Sequence, residues 1–328
     1  MTTQVDEALR RAAKLIVDAP SVCLACHVGP DGDALGSLLG FLHLARDHGV
    51  AVCASWPAPV GVAPHYRFLP GLDLVCDPAA FPARPDLMIV FDCGSLDRLG
   101  ELAPAAIAAR DADRLIVLDH HATNQRFGSL NVIDTEAAAT AVLTRRLADE
   151  LGWALNRPAA LCLYTGLVTD TGRFQHANTT PAVFALAGEL ATFGLPIAEM
   201  TRQLFEQHRF AYLQLMAECI RRAQLDGDLR LVSTWVTAED CARFAVDLAE
   251  TEGLIDVLRR AEEAEVSCVL REVPEGVRVS LRATSGTDVG AIATRFGGGG
   301  HRFAAGYTQT GTVSEVLARL RAALAAGG

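Results

Sequence analysis

Lysine is almost missing from this chain of 328 residues: Lys14 is the only one, so the positive charge rests on arginine. Basic residues number 29 against 39 acidic ones, a formal net charge of −10. So acidic a chain lacks the basic footprint by which long nucleic acid is held through its phosphates. Short or monomeric phosphorylated ligands stay compatible with it, because bound divalent cations reverse the field locally. No run of about 18 apolar residues occurs, which excludes a membrane span. The polar start, Met1 to Glu7, opens a helix, so no signal peptide is expected and the cytoplasm is the expected compartment. Among nine cysteines the only close spacing is Cys23-x-x-Cys26, with no second pair to complete a zinc site. The cysteines are therefore expected as small buried hydrophobes. Neither an internal repeat nor a long low-complexity segment is present.

Half of the chain is apolar and 21% is charged, enough for packed cores and too hydrophobic for extended disorder. The length favours two domains over one. Helical spacing covers residues 4–18, Ala34–His48, 137–151, 158–169 and 181–193. Between the helices lie short apolar runs: Ser21–Cys26, Val50–Ser55, Asp86–Phe91 and Arg114–Leu118. Alternating strands and helices predict an α/β, Rossmann-like, mainly parallel sheet over residues 1–193. A helical connector is expected at 194–222. Residues 223–328 are expected to form a smaller α/β domain. It would contain strands Glu265–Arg271 and Val277–Ala283 around the turn Pro274-Glu-Gly276. A helix at 288–295, a strand near Gly306–Thr310 and a closing helix at 313–325 complete it.

The strand ends carry the chemistry. Arg114-Leu-Ile-Val-Leu118 runs into Asp119-His120-His121, and the first strand runs into His27-Val-Gly-Pro-Asp31-Gly-Asp33. Carboxylates and imidazoles at strand ends have no packing use and are costly to bury unless paired or coordinated. In parallel sheets the ligand crevice lies beyond the carboxyl ends of the strands, where His27, Asp92 and Asp119 all fall. Asp31 and Asp33, so close together, would raise each other's pKa unless cations offset their charge. Asp92 is placed to bridge two metals, and His120 with Asp170 to complete the second site. Alone, a strand-end His is structural and an Asp before a helix is an N-cap; the whole set argues otherwise. A carboxylate–imidazole set without thiolate suits manganese or magnesium better than a structural zinc, with iron, cobalt and zinc left open. The reading is a two-metal phosphohydrolase.

Four glycines, Gly297 to Gly300, precede His301. They let backbone approach a ligand with amides turned towards an anion, or serve as a hinge. No Gly-Lys-Ser/Thr ending follows, which argues against a triphosphate loop. Gly298, Gly299, Gly300, His301 and Arg282 are the candidate substrate-binding residues. Arginine presents a planar fork to phosphate. A pocket closed between two domains would limit substrate length.

At these residues the chain resembles the DHH phosphoesterase superfamily. The resemblance runs through His27 to Ser37, Phe91-Asp-Cys-Gly-Ser95 with Arg98, Asp119-His-His121 with Asn124, and Thr169-Asp-Thr-Gly172 with Phe174. Gly297 to His301, followed by Ala304-Ala-Gly306, resembles the DHH-associated domain. Size and motifs look most like the subfamily of nanoRNases and pAp phosphatases. That resemblance implies 5′-to-3′ cleavage of very short RNA and removal of the 3′-phosphate of 3′-phosphoadenosine 5′-phosphate. It also implies two divalent cations, manganese first and magnesium or cobalt as alternatives. His27, Asp31 and Asp92 would hold one cation, and Asp33, Asp92, His120 and Asp170 the other. His121 would face the scissile phosphate or the leaving oxygen, and Asp119 would orient a histidine. Gly29 and Ala139-Thr140 depart from the pattern but are expected to touch no ligand position. The alternative within the superfamily is a cyclic di-AMP or pApA phosphodiesterase; outside it, a non-catalytic nucleotide sensor. Expected partners are short RNA or small nucleotides, with no long nucleic acid and no membrane; a homodimer is compatible.

Overall fold

Met88–Phe91 and Leu115–Leu118 are wholly buried, as strands covered on both faces by helices must be. In the computed structural model, which describes residues 2–327, the chain divides into two units, Met1–Leu204 and Phe205–Gly328. In the first unit the order is α1 (Thr2–Asp18), β1 (Val22–Cys26), α2 (Gly32–Asp47), β2 (Val52–Ser55), β3 (Met88–Phe91) and α3 (Ala103–Asp111). Next come β4 (Leu115–Asp119), β5 (Leu130–Ile133), α4 (Thr140–Glu150), α5 (Arg157–Asp170), α6 (Pro181–Ala191) and α7 (Ile197–Phe205). The five strands form one parallel sheet in the order β2-β1-β3-β4-β5. This is the α/β, Rossmann-like sheet expected from sequence. The chain runs outward from β1 to β2, crosses back to β3 on the other side of β1 and continues to β4 and β5; strand ends at such a switch point open a crevice.

Helix α2 is buried along most of its length because its glycines admit α5 at close range. A Cβ at Gly32 would lie 2.4 Å from Thr169 Oγ1, and one at Gly36 2.5 Å from the Cys162 carbonyl oxygen. That approach sets the N-terminus of α2, with Asp31 and Asp33, beside the C-terminus of α5, with Asp170. Strand β5 is absent from the strands expected on sequence: Leu130-Asn-Val-Ile133 is too short to stand out, and pairing with β4 makes it a strand.

The second unit contains α8 (Phe210–Arg221), β6 (Gln224–Asp226), β7 (Leu231–Val236), α9 (Ala238–Phe244), α10 (Leu254–Leu258) and β8 (Val266–Val273). It continues with β9 (Gly276–Ala283), α11 (Val289–Arg295), β10 (Gly299–His301), β11 (Ala304–Gln309) and α12 (Val313–Ala325). Its sheet runs β10-β11-β9-β8-β7-β6, antiparallel except for β7 with β8. One face of β9, Val277, Val279, Leu281 and Ala283, enters a core shared with Ile292 and Leu320. The expected connector 194–222 is split between units: α7 ends at the division and α8 packs in the second core. Among the described residues no helix is long and apolar enough to cross a membrane.

Candidate metal centre

Each strand of the central three leads into a candidate site residue. β1 delivers His27, β3 delivers Asp92, and β4 delivers Asp119 followed by His120 and His121. Asp92 leaves its strand at φ +53°, a left-handed conformation that Asp tolerates better than most residues. Such a kink at a strand end is a local strain held by the surrounding structure.

Asp92 lies at the middle of the group. Its Oδ2 is 3.8 Å from His27 Nε2 and its Oδ1 is 3.6 Å from His120 Nε2. Asp31 Oδ2 is 4.0 Å from His27 Nε2. On the other side, His120 Nε2 stands 3.8 Å from Asp33 Oδ2 and 3.3 Å from Asp170 Oδ2. The structure thus brings together all six residues expected as ligands, in two overlapping groups that share Asp92. Asp31 caps α2: its Oδ1 accepts from the amides of Asp33 and Ala34, leaving Oδ2 for the His27 side.

Electrostatics explains why so acidic a nest needs cations. Burial, then the neighbouring Asp92, pushes the Asp33 carboxyl up to about 7. Burial, then Asp33 and Asp92, holds Asp170 well above the carboxylate range. Burial also opposes the charge on Asp92, but the neighbouring imidazoles of His27, His121 and His120 outweigh it and keep Asp92 ionised. Burial resists protonation of His120, yet Asp92 and Asp33 draw its pKa upward. Carboxylate oxygens and imidazole nitrogens held a few ångströms apart, without thiolate, form a donor set that fits a divalent metal ion.

The imidazoles are oriented from behind. His120 Nδ1 lies 3.1 Å from the Ala137 carbonyl oxygen, which fixes the proton there and turns Nε2 to the carboxylates. His27 Nδ1 lies 2.9 Å from the Val28 oxygen and equally far from Arg98 Nη2. Nδ1 can donate to the Val28 oxygen or accept from Arg98, and either way the ring turns Nε2 to Asp31 and Asp92. Asp119 is buried and both of its oxygens are engaged. It accepts from the amides of His120 and His121, from Asn124 Nδ2 at 2.6 Å, and lies 2.7 Å from His121 Nδ1. Burial lowers the His121 pKa, but the Asp119 bond and the charges of Asp92 and Asp119 carry it up to about 9.

Thr140 corrects the expectation that Ala139-Thr140 touches no ligand position. Its hydroxyl donates to Asp92 Oδ1 at 2.9 Å and its amide to Asp33 Oδ2 at 2.6 Å. The Ala141 amide adds a bond to Asp33 Oδ1 at 3.0 Å. Ala139 gives α4 no side-chain cap, so Asp33 of another helix serves instead, an anion at a helix N-terminus. The only signal in sequence is the missing cap ahead of Thr140.

In the second unit the glycine run differs from expectation. Gly299–His301 is a strand paired antiparallel with β11, not a hinge. The Gly297 and Gly298 amides close the end of α11 on the Thr294 and Ala293 oxygens rather than turning towards an anion. The glycines are needed for close approach: a Cβ at Gly298 would sit 2.1 Å from the Gly306 carbonyl oxygen. Arg282 stands on β9 opposite Ala304 of β11 and Ser267 of β8, half-buried, as His301 is. A residue the sequence reading missed is Arg271. It is buried, donating from Nε to Thr251 Oγ1, from Nη2 to the Thr251 oxygen and from Nη1 to Ser280 Oγ. Burial, with Arg278 and Arg282 nearby and against the pull of Glu252, brings its pKa down to about 10.

A doubly wound sheet with a carboxylate–imidazole nest at its strand ends, followed by a second α/β unit, defines a hydrolase of the phosphoesterase class. Residues 21–167 match the DHH family, N-terminal domain, and residues 232–326 match the DHHA1 domain. The chain belongs to the DHH family. It is 33% identical over 309 residues to the bifunctional oligoribonuclease and PAP phosphatase NrnA of Thermus thermophilus, covering 93% of this chain and 89% of that protein. With the protein of the same name from Bacillus subtilis it shares 28% identity, over 87% of this chain and 88% of that one. Among solved structures, an exopolyphosphatase-related protein from Bacteroides fragilis superposes with a TM-score of 0.88 at 25% identity. That likeness covers 97% of this chain and 95% of the other.

Proposed function

We infer that this chain is a two-metal phosphohydrolase. Its substrates on this reading are very short oligoribonucleotides, cleaved 5′ to 3′, and 3′-phosphoadenosine 5′-phosphate, cleaved to AMP. The observation that carries the reading is Asp92, seated between the imidazoles of His27 and His120 with one carboxylate oxygen towards each. His27, Asp31 and Asp92 would hold one divalent cation, and Asp33, Asp92, His120 and Asp170 the other, with manganese ahead of magnesium and cobalt. When bound, such ions supply Lewis acidity to a phosphoryl group and lower the pKa of water.

The chain's own groups do the rest. Thr140 and Ala141 hold Asp33 and Asp92 in place. Asp119 fixes the His121 ring, whose Nε2 is then available to give a proton to the leaving oxygen; its raised pKa keeps that proton in place near neutrality. Residues 1–193 would serve as the catalytic domain and 223–328 as the substrate-binding domain, with 194–222 joining them in sequence. There Arg282 and His301, with the backbone of Gly299 and Gly300, would bind substrate phosphate. The NrnA names of the two relatives support this substrate pair. Neither name favours cyclic di-AMP, and a chain with all six ligand side chains does not fit a non-catalytic sensor.

The test compares kcat/KM on a dinucleotide to pentanucleotide RNA series, on 3′-phosphoadenosine 5′-phosphate and on cyclic di-AMP, with manganese supplied. Activity on the first two and little on the third is expected. A preference for cyclic di-AMP would overturn the substrate assignment.

A further inference from the structure

On the edge strand β2, Cys53 Sγ stands 3.0 Å from Cys76 Sγ. A disulfide bond is about 2.05 Å long, so the sulfurs are within roughly one ångström of bonding distance. Two hydrogen bonds to the Cys76 backbone hold them there independently of the thiols. The Cys76 amide donates to the Ala54 oxygen at 2.9 Å, and Ser55 Oγ donates to the Cys76 oxygen at 2.9 Å. Both cysteines are partly exposed, whereas Cys23, Cys26, Cys93, Cys162, Cys219 and Cys268 are buried. A small reagent can therefore reach this pair and not those six.

We propose that Cys53 and Cys76 are a modification site, forming a reversible disulfide when the protein meets a low-molecular-weight disulfide. One thiol loses its proton and its sulfur attacks the reagent's S–S bond, releasing one small thiolate. The second protein sulfur, deprotonated in turn, displaces the other half of the reagent and closes the bond. Two protein thiols give up two electrons, and the reagent is reduced to two small thiols. Burial and the Cys53 contact push the Cys76 thiol up to about 12, so the exchange is slow at neutral pH and faster in mild alkali.

The bond would close the segment 54–75, whose far side braces the metal centre. The Ala58 amide donates to Glu101 Oε1 at 2.8 Å, and Glu101 shares the turn Leu96–Leu102 with Arg98, which sits against His27. No ligand residue lies in the closed segment. Cross-linking is therefore expected to stabilise the fold while leaving kcat within about two-fold.

The experiment incubates the full chain with oxidised glutathione in mild alkali, blocks remaining thiols and maps tryptic peptides without reduction. Cleavage after Arg46 and Arg67 isolates Cys53 on 47–67. The next peptide, 68–98, carries Cys76 and Cys93, because Arg84 precedes Pro85. The expected result is a 47–67 to 68–98 cross-link that fragments at Cys76, vanishes on reduction and accompanies a higher Tm. Cys53→Ser and Cys76→Ser should each lose both the cross-link and the Tm rise. Separate peptides bearing stable glutathione adducts, or Cys53 joined to the Cys23 peptide, would overturn the proposal.

Discussion

The two units bury charge in opposite ways. In the first, burial and neighbouring carboxylates raise the pKa of Asp33 and Asp170, while the imidazoles of His27, His121 and His120 keep Asp92 ionised between them. In the second, Arg271 is buried alone and satisfied by neutral oxygens from Thr251 and Ser280. A buried cation that the chain fully satisfies has a structural role and lends its field to neighbours. Buried anions that the chain leaves in mutual repulsion call for something the chain does not supply. The comparison separates a unit whose carboxylates are suited to cations from one whose Arg282 is suited to an anion.

Removing the shared carboxylate should break that contrast most severely. Asp92→Ala is expected to lower kcat/KM by about 10³ or more, on the order of 4 kcal/mol, while far-UV circular dichroism stays unchanged. Stripping divalent ions with a chelator should come next. Restoring manganese to about 100 times its Kd adds roughly 2.7 kcal/mol of stability. Tm should therefore rise by roughly 5–10 °C in calorimetry, and the rise should be absent in Asp92→Ala. Thr140→Val should weaken manganese affinity by roughly 10–100-fold, as loss of groups behind a metal ligand does, whereas Thr140→Ser should stay near wild type. Isothermal titration measures both.

Arg282→Ala sharpens the comparison from the other unit. KM for 3′-phosphoadenosine 5′-phosphate should rise about 10-fold through lost charge-assisted hydrogen bonds, with the manganese-induced Tm shift unaltered. The smallest effect concerns acid stability of the second unit. Burial opposes ionisation of Asp240, but hydrogen bonds from Arg222 and Thr237 hold its pKa below the ordinary carboxylate value. Its contribution is thus complete above about pH 4, the unfolded value, and is lost as pH falls through the lower folded value. Asp240→Asn should cost about 1 kcal/mol at neutral pH and nothing in strong acid, read from urea unfolding at both.

The first unit's site is legible in the sequence because strand ends are where a parallel sheet concentrates function, and each ligand there interrupts an apolar run. His27, Asp92 and His120 can be found this way. Thr140 cannot, because its partners are Asp33 and Asp92, remote in sequence and met only through the packing of α2, α4 and α5. Arg271 reads as the polar end of a strand until Thr251 arrives from a turn to enclose it. Strand β10 is hidden for a related reason: four glycines carry no propensity for a strand, and pairing with β11 alone makes one.

The most direct test counts metal. Crystals soaked in manganese and measured at its absorption edge should show two anomalous peaks. One is expected among His27, Asp31 and Asp92, the other among Asp33, Asp92, His120 and Asp170. A single peak away from Asp92, or none with full hydrolytic activity retained, would contradict the shared-carboxylate centre.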